Sequence, residues 1–123
     1  MKQEWSRFIK SVGYAWAGVQ ILLAREPNMR IHLVLAMAAV VLAAVLHLPP
    51  AHWAILFLTI GLVLAMEAIN TAIETLTDLV SPEYHPQAKI VKDVAAGAVI
   101  ITAVAAVLVA ICLFLPPLWA VWR

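Results

Sequence analysis

WAILFLTIGLVLAMEAINTAIETLTDLV, Trp53 to Val80, is the stretch on which the fold turns. No proline interrupts it, so it predicts one helix of 28 residues, about 42 Å long at 1.5 Å per residue. That exceeds the roughly 30 Å hydrocarbon core of a bilayer, so its C-terminal part is expected to emerge. Up to Ala65 the stretch is uncharged and apolar; then its character changes. Glu67, Asn70, Glu74 and Asp78 stand at offsets of 0, 3, 7 and 11. On a helix all four project within one sector of about 80°. Glu67 lies 14 residues past Trp53, about 21 Å along, which predicts a place near the inner edge of the hydrocarbon. Glu74 and Asp78 are then expected among headgroups or water. Ionisable groups at such a depth are costly unless paired, which makes them functional candidates by default.

Composition fixes the solvent. The 123 residues suit one domain, 1–123, with 65% hydrophobic residues, 12% charged residues and a mean hydropathy of +0.98. A water-soluble chain averages about 45–50% apolar, so lipid must solvate much of this one. The net charge of +1 says little, but the placement of the charges is informative. Lys2, Glu4, Arg7, Lys10, Arg25, Glu26 and Arg30 form one block; Glu67, Glu74, Asp78, Glu83, Lys89, Lys92 and Asp93 form a second; Arg123 stands apart. The single Cys112 cannot make an internal disulfide and reads as a small hydrophobe within an apolar run. No short apolar core with a small-residue cleavage site follows the charged start, so no signal peptide is expected.

Taken in order, residues 3–23 predict an amphipathic helix with Trp5, Phe8, Ile9, Val12, Trp16, Val19 and Leu23 on one face. Basic residues elsewhere on it suit a helix lying among lipid headgroups. Gly13 and Gly18 could allow close approach by lipid or another helix. Pro27 disfavours helix at Glu26, which predicts a turn or a new helix start there. Ile31 to Leu48 is an uncharged run of 18 residues, about 27 Å, just enough to span. His32 and His47 bracket it and read as interfacial residues rather than metal ligands. Pro49, Pro50, Ala51 and His52 predict a tight reversal before the Trp53–Val80 helix. Ser81 to Val91, with Pro82 and Pro86, reads as a connection to a third span, Val94 to Leu115. Asp93 is expected to cap that span and Pro116–Pro117 to stop it. Trp119 and Trp122 predict an aromatic belt, and Ala39, Ala43 and the Ala95–Ala98 cluster predict close helix packing. The fold class is all-α: an integral membrane protein with a surface helix and three transmembrane helices.

Seven of the eight Lys/Arg residues fall in the N-terminal segment and the second loop, and none in the loop at 49–52. The positive-inside rule therefore places both blocks in the cytoplasm and the C-terminus outside. Glu26, Glu67, Asn70, Glu74, Asp78, Glu83, Tyr84, His85, Lys92, Asp93 and Arg7 converge on that side. Carboxylates in oxygen-rich company suit Mg²⁺, basic residues suit phosphate, and a carboxylate at the hydrocarbon edge suits a general base. Those are the parts of phosphoryl transfer. A proton or cation site in a small proton-coupled transporter, or a polar lock between helices, would use the same Glu67 face. No G-x-x-x-x-G-K-[ST] or G-x-G-x-x-G is present, which excludes a P-loop or an ordinary protein kinase.

E-A-I-N-T-A-I-E-T-L-T-D at Glu67–Asp78, E-Y-H at Glu83–His85 and A-K-I-V-K-D-V-A-A-G-A at Ala88–Ala98 closely resemble the prokaryotic diacylglycerol kinase family. R-F-I-K-S-V-G-Y-A-W near the N-terminus and three spans of matching length extend the likeness over nearly the whole chain. The second loop, S-P-E-Y-H-P-Q-A-K, is most similar to the undecaprenol kinase branch. The resemblance implies a homotrimer in the bacterial inner membrane that moves the γ-phosphoryl of Mg·ATP onto a lipid alcohol, undecaprenol before diacylglycerol. It implies Glu67 as general base, with Asn70 orienting the reacting groups. Glu26 and Glu74 would hold the metal bound to ATP. Arg7, Tyr14, Glu83, Tyr84, His85, Lys92 and Asp93 would line the nucleotide. Asp78 is left with a helix-face or capping role.

Overall fold

Prolines set where three of the four helices begin. The computed structural model describes residues 1–122 and contains α1 (Lys2–Arg25), α2 (Pro27–Val45), α3 (Pro50–Val80) and α4 (Pro86–Val121). Pro27, Pro50 and Pro86 each open a helix, where the missing N–H costs nothing and φ is already helical. Arg123, the charge apart from both blocks, lies outside the described residues.

The join between α1 and α2 is one residue. Glu26 is extended, at φ −100° and ψ 107°, as expected before proline; it is both the C-cap of α1 and the N-cap of α2. Its backbone N–H bonds Leu22 O at 2.9 Å, and Arg30 Nη2 donates to Ala24 O at 2.9 Å across the join. The apolar face of α1, including Trp5, Phe8 and Trp16, is exposed, as a helix solvated by lipid on one side requires. Gly13 and Gly18 face open space, so no close approach within the chain depends on them.

α2 ends in a Schellman motif. Leu48 N–H bonds Ala43 O and His47 N–H bonds Ala44 O, both at 3.1 Å. This needs a left-handed residue, and His47 supplies it at φ 52° where glycine is usual. The reversal is thus made at 46–49, and Ala51 and His52, expected within it, already belong to α3. Leu48 folds back onto Ala43 and, with Leu56, Leu113 and Phe114, forms the main buried cluster. Ala43 and Ala95 are both buried, as their small size at helix contacts predicts.

Two expectations for α4 are corrected. Asp93 does not cap it: the helix starts at Pro86, and His85 Nδ1 accepts from Gln87 N–H at 3.2 Å as the side-chain cap. Proline at the first helical position, with a capping side chain before it, outcompetes the later carboxylate. Nor do Pro116 and Pro117 stop it, because α4 runs through them to Val121. Their fixed φ is helical, and the lost backbone bonds are tolerated more readily in apolar spans than in soluble helices. Cys112, read as a small hydrophobe within an apolar run, is exposed on the outside of α4.

α2, α3 and α4, at 19, 31 and 36 residues, are long and apolar enough to cross a membrane. α3 and α4 pack most extensively, α2 packs on α3 less, and α1 contacts mainly α2. Backbone packing of α2 on α4 is slight by comparison. Leu58, Val34, Val94, Ile100 and Ile101 all point outward, an arrangement that hydrocarbon stabilises and water would not.

Candidate active site

The polar face of α3 emerges in order of burial. Glu67 is 2% exposed and Asn70 9%, Glu74 is half-buried, and Asp78 is exposed. The helical spacing that aligned the four therefore also grades them from the packed interior outward. Asn70 Nδ2 donates to Glu74 Oε1 at 3.2 Å, the one-turn contact that this spacing allows. Thr71 Oγ1 donates to the Glu67 backbone oxygen at 3.1 Å, which commits its hydroxyl to the helix and not to the face.

Two oxygens on this face are sealed and unpartnered: Glu67 Oε2 and Asn70 Oδ1. Both can act only as acceptors when the carboxylate is ionised. Buried acceptors without donors are rare in folded proteins, so each calls for a partner such as a water, a ligand, a proton or a cation. Spacing along α3 gave no hint of the nearest cation-forming group. His32 Nε2, on α2, lies 3.9 Å from Glu67 Oε2.

The rest of the expected set is distributed around this face. Glu26 is half-buried at the α1–α2 join. Lys92 Nζ donates to Asp78 Oδ1 at 2.9 Å, so Asp78, without an assigned partner in sequence, ties α3 to α4. Lys89 Nζ pairs with Asp93 one turn along α4. Arg7, Tyr14, Glu83, Tyr84 and His85 are exposed, and among the described residues no hydrogen bond or ion pair joins them to the α3 face.

Between α2, α3 and α4 lies an apolar cavity of about 310 Å³, which the slight packing of α2 on α4 leaves open. It reaches from His32 past Ala36, Ala39 and Ile60 to Ala110 and Phe114. Hydrocarbon can therefore come within one side chain of Glu67.

Among the described residues no three His, Cys, Asp or Glu side chains form a metal-holding group. The face nevertheless carries the donor type a hard cation takes: Glu74 offers a half-buried carboxylate there, and Mg²⁺ takes one or two carboxylates with substrate phosphates.

Residues 13–114 match the family described as prokaryotic diacylglycerol kinase. A diacylglycerol kinase of Synechocystis is 50% identical over 109 residues, 88% of this chain; the chain spans 62% of that relative's length. An undecaprenol kinase of Bacillus subtilis is 38% identical over 117 residues, 95% of both chains. A diacylglycerol kinase of Escherichia coli is 33% identical over 103 residues, 84% of both. All three are named as kinases, and the transport alternative gains no support from them.

Proposed function

The chain belongs to the prokaryotic diacylglycerol kinase family, and from that premise we propose that it transfers the γ-phosphoryl of Mg·ATP to the hydroxyl of a membrane lipid alcohol. The observation that carries this reading is Glu67: a carboxylate 2% exposed, with an unpartnered oxygen, on a helix able to span the membrane and close to an apolar cavity. A base there meets an acceptor whose hydrocarbon never leaves lipid.

In this reading the acceptor's hydroxyl reaches Glu67 from the membrane side. Its oxygen attacks the γ-phosphorus; the new P–O bond forms as the bond to the β–γ bridging oxygen breaks. The proton passes to Glu67 and ADP leaves. Asn70 holds Glu74 by the 3.2 Å hydrogen bond and keeps that carboxylate aimed along the face. Glu26 and Glu74 would hold Mg²⁺, which when bound supplies neutralisation of phosphate charge. Arg7, Tyr14, Glu83, Tyr84, His85, Lys92 and Asp93 would receive the nucleotide from water. Arg7, Tyr14, Tyr84 and His85 are exposed enough to do so without unfolding.

Undecaprenol is the acceptor we favour over diacylglycerol, supported by the end-to-end match to the Bacillus subtilis relative and by the S-P-E-Y-H-P-Q-A-K loop. The site faces the cytoplasm of a bacterial inner membrane in this reading, a placement supported by the seven Lys/Arg residues of the N-terminal segment and second loop. A homotrimer fits the broad exposed apolar surface of the three long helices.

Reconstitution in lipid vesicles with γ-labelled Mg·ATP tests the proposal. Label is expected in the lipid fraction, with higher kcat/KM for undecaprenol than for diacylglycerol. Removing divalent cations with EDTA, or Glu74→Gln, is expected to abolish transfer. ATP-independent solute uptake driven by a pH gradient, with no labelled lipid, would overturn it.

A further inference from the structure

His32 sits in the second turn of α2, with 19% of its side chain exposed, facing the least exposed carboxylate among the described residues. A buried carboxylate with an oxygen sealed and unpaired is costly, and the cation-forming group that approaches Glu67 Oε2 is His32 Nε2 at 3.9 Å. That is too long for a hydrogen bond, but a shift of about 1 Å would bring the pair to a charge-assisted bond of about 2.8 Å.

His32 also lies on the wall of the apolar cavity. Among the described residues the only other polar side chain on that wall is Thr59, whose hydroxyl donates to Ile55 O at 2.8 Å. His32 alone on the wall therefore has uncommitted hydrogen-bonding capacity, and it stands between the hydrocarbon space and Glu67. Its two ring nitrogens are distinct, so one can serve the carboxylate while the other faces elsewhere.

We propose that His32 is a positioning residue for phosphoryl transfer: Nε2–H donates to Glu67 Oε2, fixing the carboxylate so that Oε1 is left for the acceptor's hydroxyl. This rests on the lipid-kinase reading and on Glu67 as its base. The proton leaves the hydroxyl for Oε1, and His32 neither gains nor loses one; its bond to Oε2 persists through the step. A carboxylate free to rotate presents its oxygen in the attacking geometry only part of the time, and misplacement by about 1 Å can cost about 10²-fold in rate. The structure thus gives a role to a histidine that sequence spacing left as an interfacial residue.

The test compares wild type, His32→Leu and His32→Gln in vesicles with γ-labelled Mg·ATP and undecaprenol. Leucine keeps bulk and removes the donor; glutamine keeps an N–H of similar reach. The Leu variant is expected to lose about 10²-fold in kcat, with KM for Mg·ATP within about twofold, since no nucleotide contact is removed. The Gln variant is expected to recover most of the loss, with both variants matching wild type in helical content and melting temperature. A Leu variant as fast as wild type, or a Gln variant no faster than Leu, overturns the inference while leaving the kinase reading intact. Should the Leu variant fail to fold, Gln against the shorter Asn poses the same contrast, with equal rates overturning it. Wild-type protein that labels neither undecaprenol nor diacylglycerol overturns the kinase reading and this inference with it.

Discussion

Leu56 and Glu67 stand 11 residues apart on the same helix and are buried almost equally, at 4% and 2%. Leu56 borders the apolar cavity on one side and is closed on the other. Ala43, Leu48, Leu113 and Phe114 pack on it, and the turn beside it satisfies its carbonyls through the Schellman bonds. Around Glu67 two acceptor oxygens lack donors, and a histidine on the cavity wall stops short of hydrogen-bond distance. The Leu56 end of α3 is stabilised mainly by apolar packing, whereas the Glu67 end retains a cost that a hydrogen-bond donor, a ligand or a proton can offset. Such a local violation, held in place by a sound fold elsewhere, is expected of a functional site.

The contrast can be broken first at Glu67. Glu67→Gln is expected to lower lipid phosphorylation by about 10³-fold while leaving the melting temperature in detergent unchanged or higher, because it removes a buried charge. A melting temperature that falls sharply would make this end structural and erase the difference. Leu56→Ala is expected to do the reverse. It should cost about 3 kcal/mol in stability, read as denaturant unfolding in mixed micelles, with kcat per folded molecule preserved.

Asn70→Ala sharpens the comparison within the charged end. Loss of the Nδ2–Glu74 bond is expected to raise the Mg²⁺ concentration needed for half-maximal rate by about tenfold, with a smaller effect on kcat at saturating Mg²⁺. Titration of activity against Mg²⁺ reads it. The smallest effect belongs to the closed end: His47→Gly should relieve the left-handed backbone and raise stability by up to about 1 kcal/mol, visible as a slightly higher midpoint of unfolding with unaltered turnover.

The stripe on α3 was legible in sequence because it is carried by a single helix, where spacing alone decides which side chains share a face. The break at Glu26 was legible for a similar reason: proline constrains its immediate neighbour. His32 was not, because its partner lies 35 residues away on another helix and no periodicity connects them. The Asp78–Lys92 pair crosses the α3–α4 connection and was hidden in the same way. The errors in α4 arose where local rules competed. Pro86 with His85 and Asp93 were both plausible helix starts, and the earlier one prevailed. Pro116–Pro117 read as a stop, yet backbone φ and an apolar setting allow the helix to continue. Residue types and spacing marked out the polar face of α3; the contacts that reach it from other helices have no signature in the sequence.

Glu26 terminates one helix and starts the next without a loop residue between them. A loop would absorb rotation, but a single extended residue pinned by the Leu22 and Ala24 bonds acts as a lever arm. The direction of α1 is thereby coupled directly to the backbone that carries the Glu26 carboxylate.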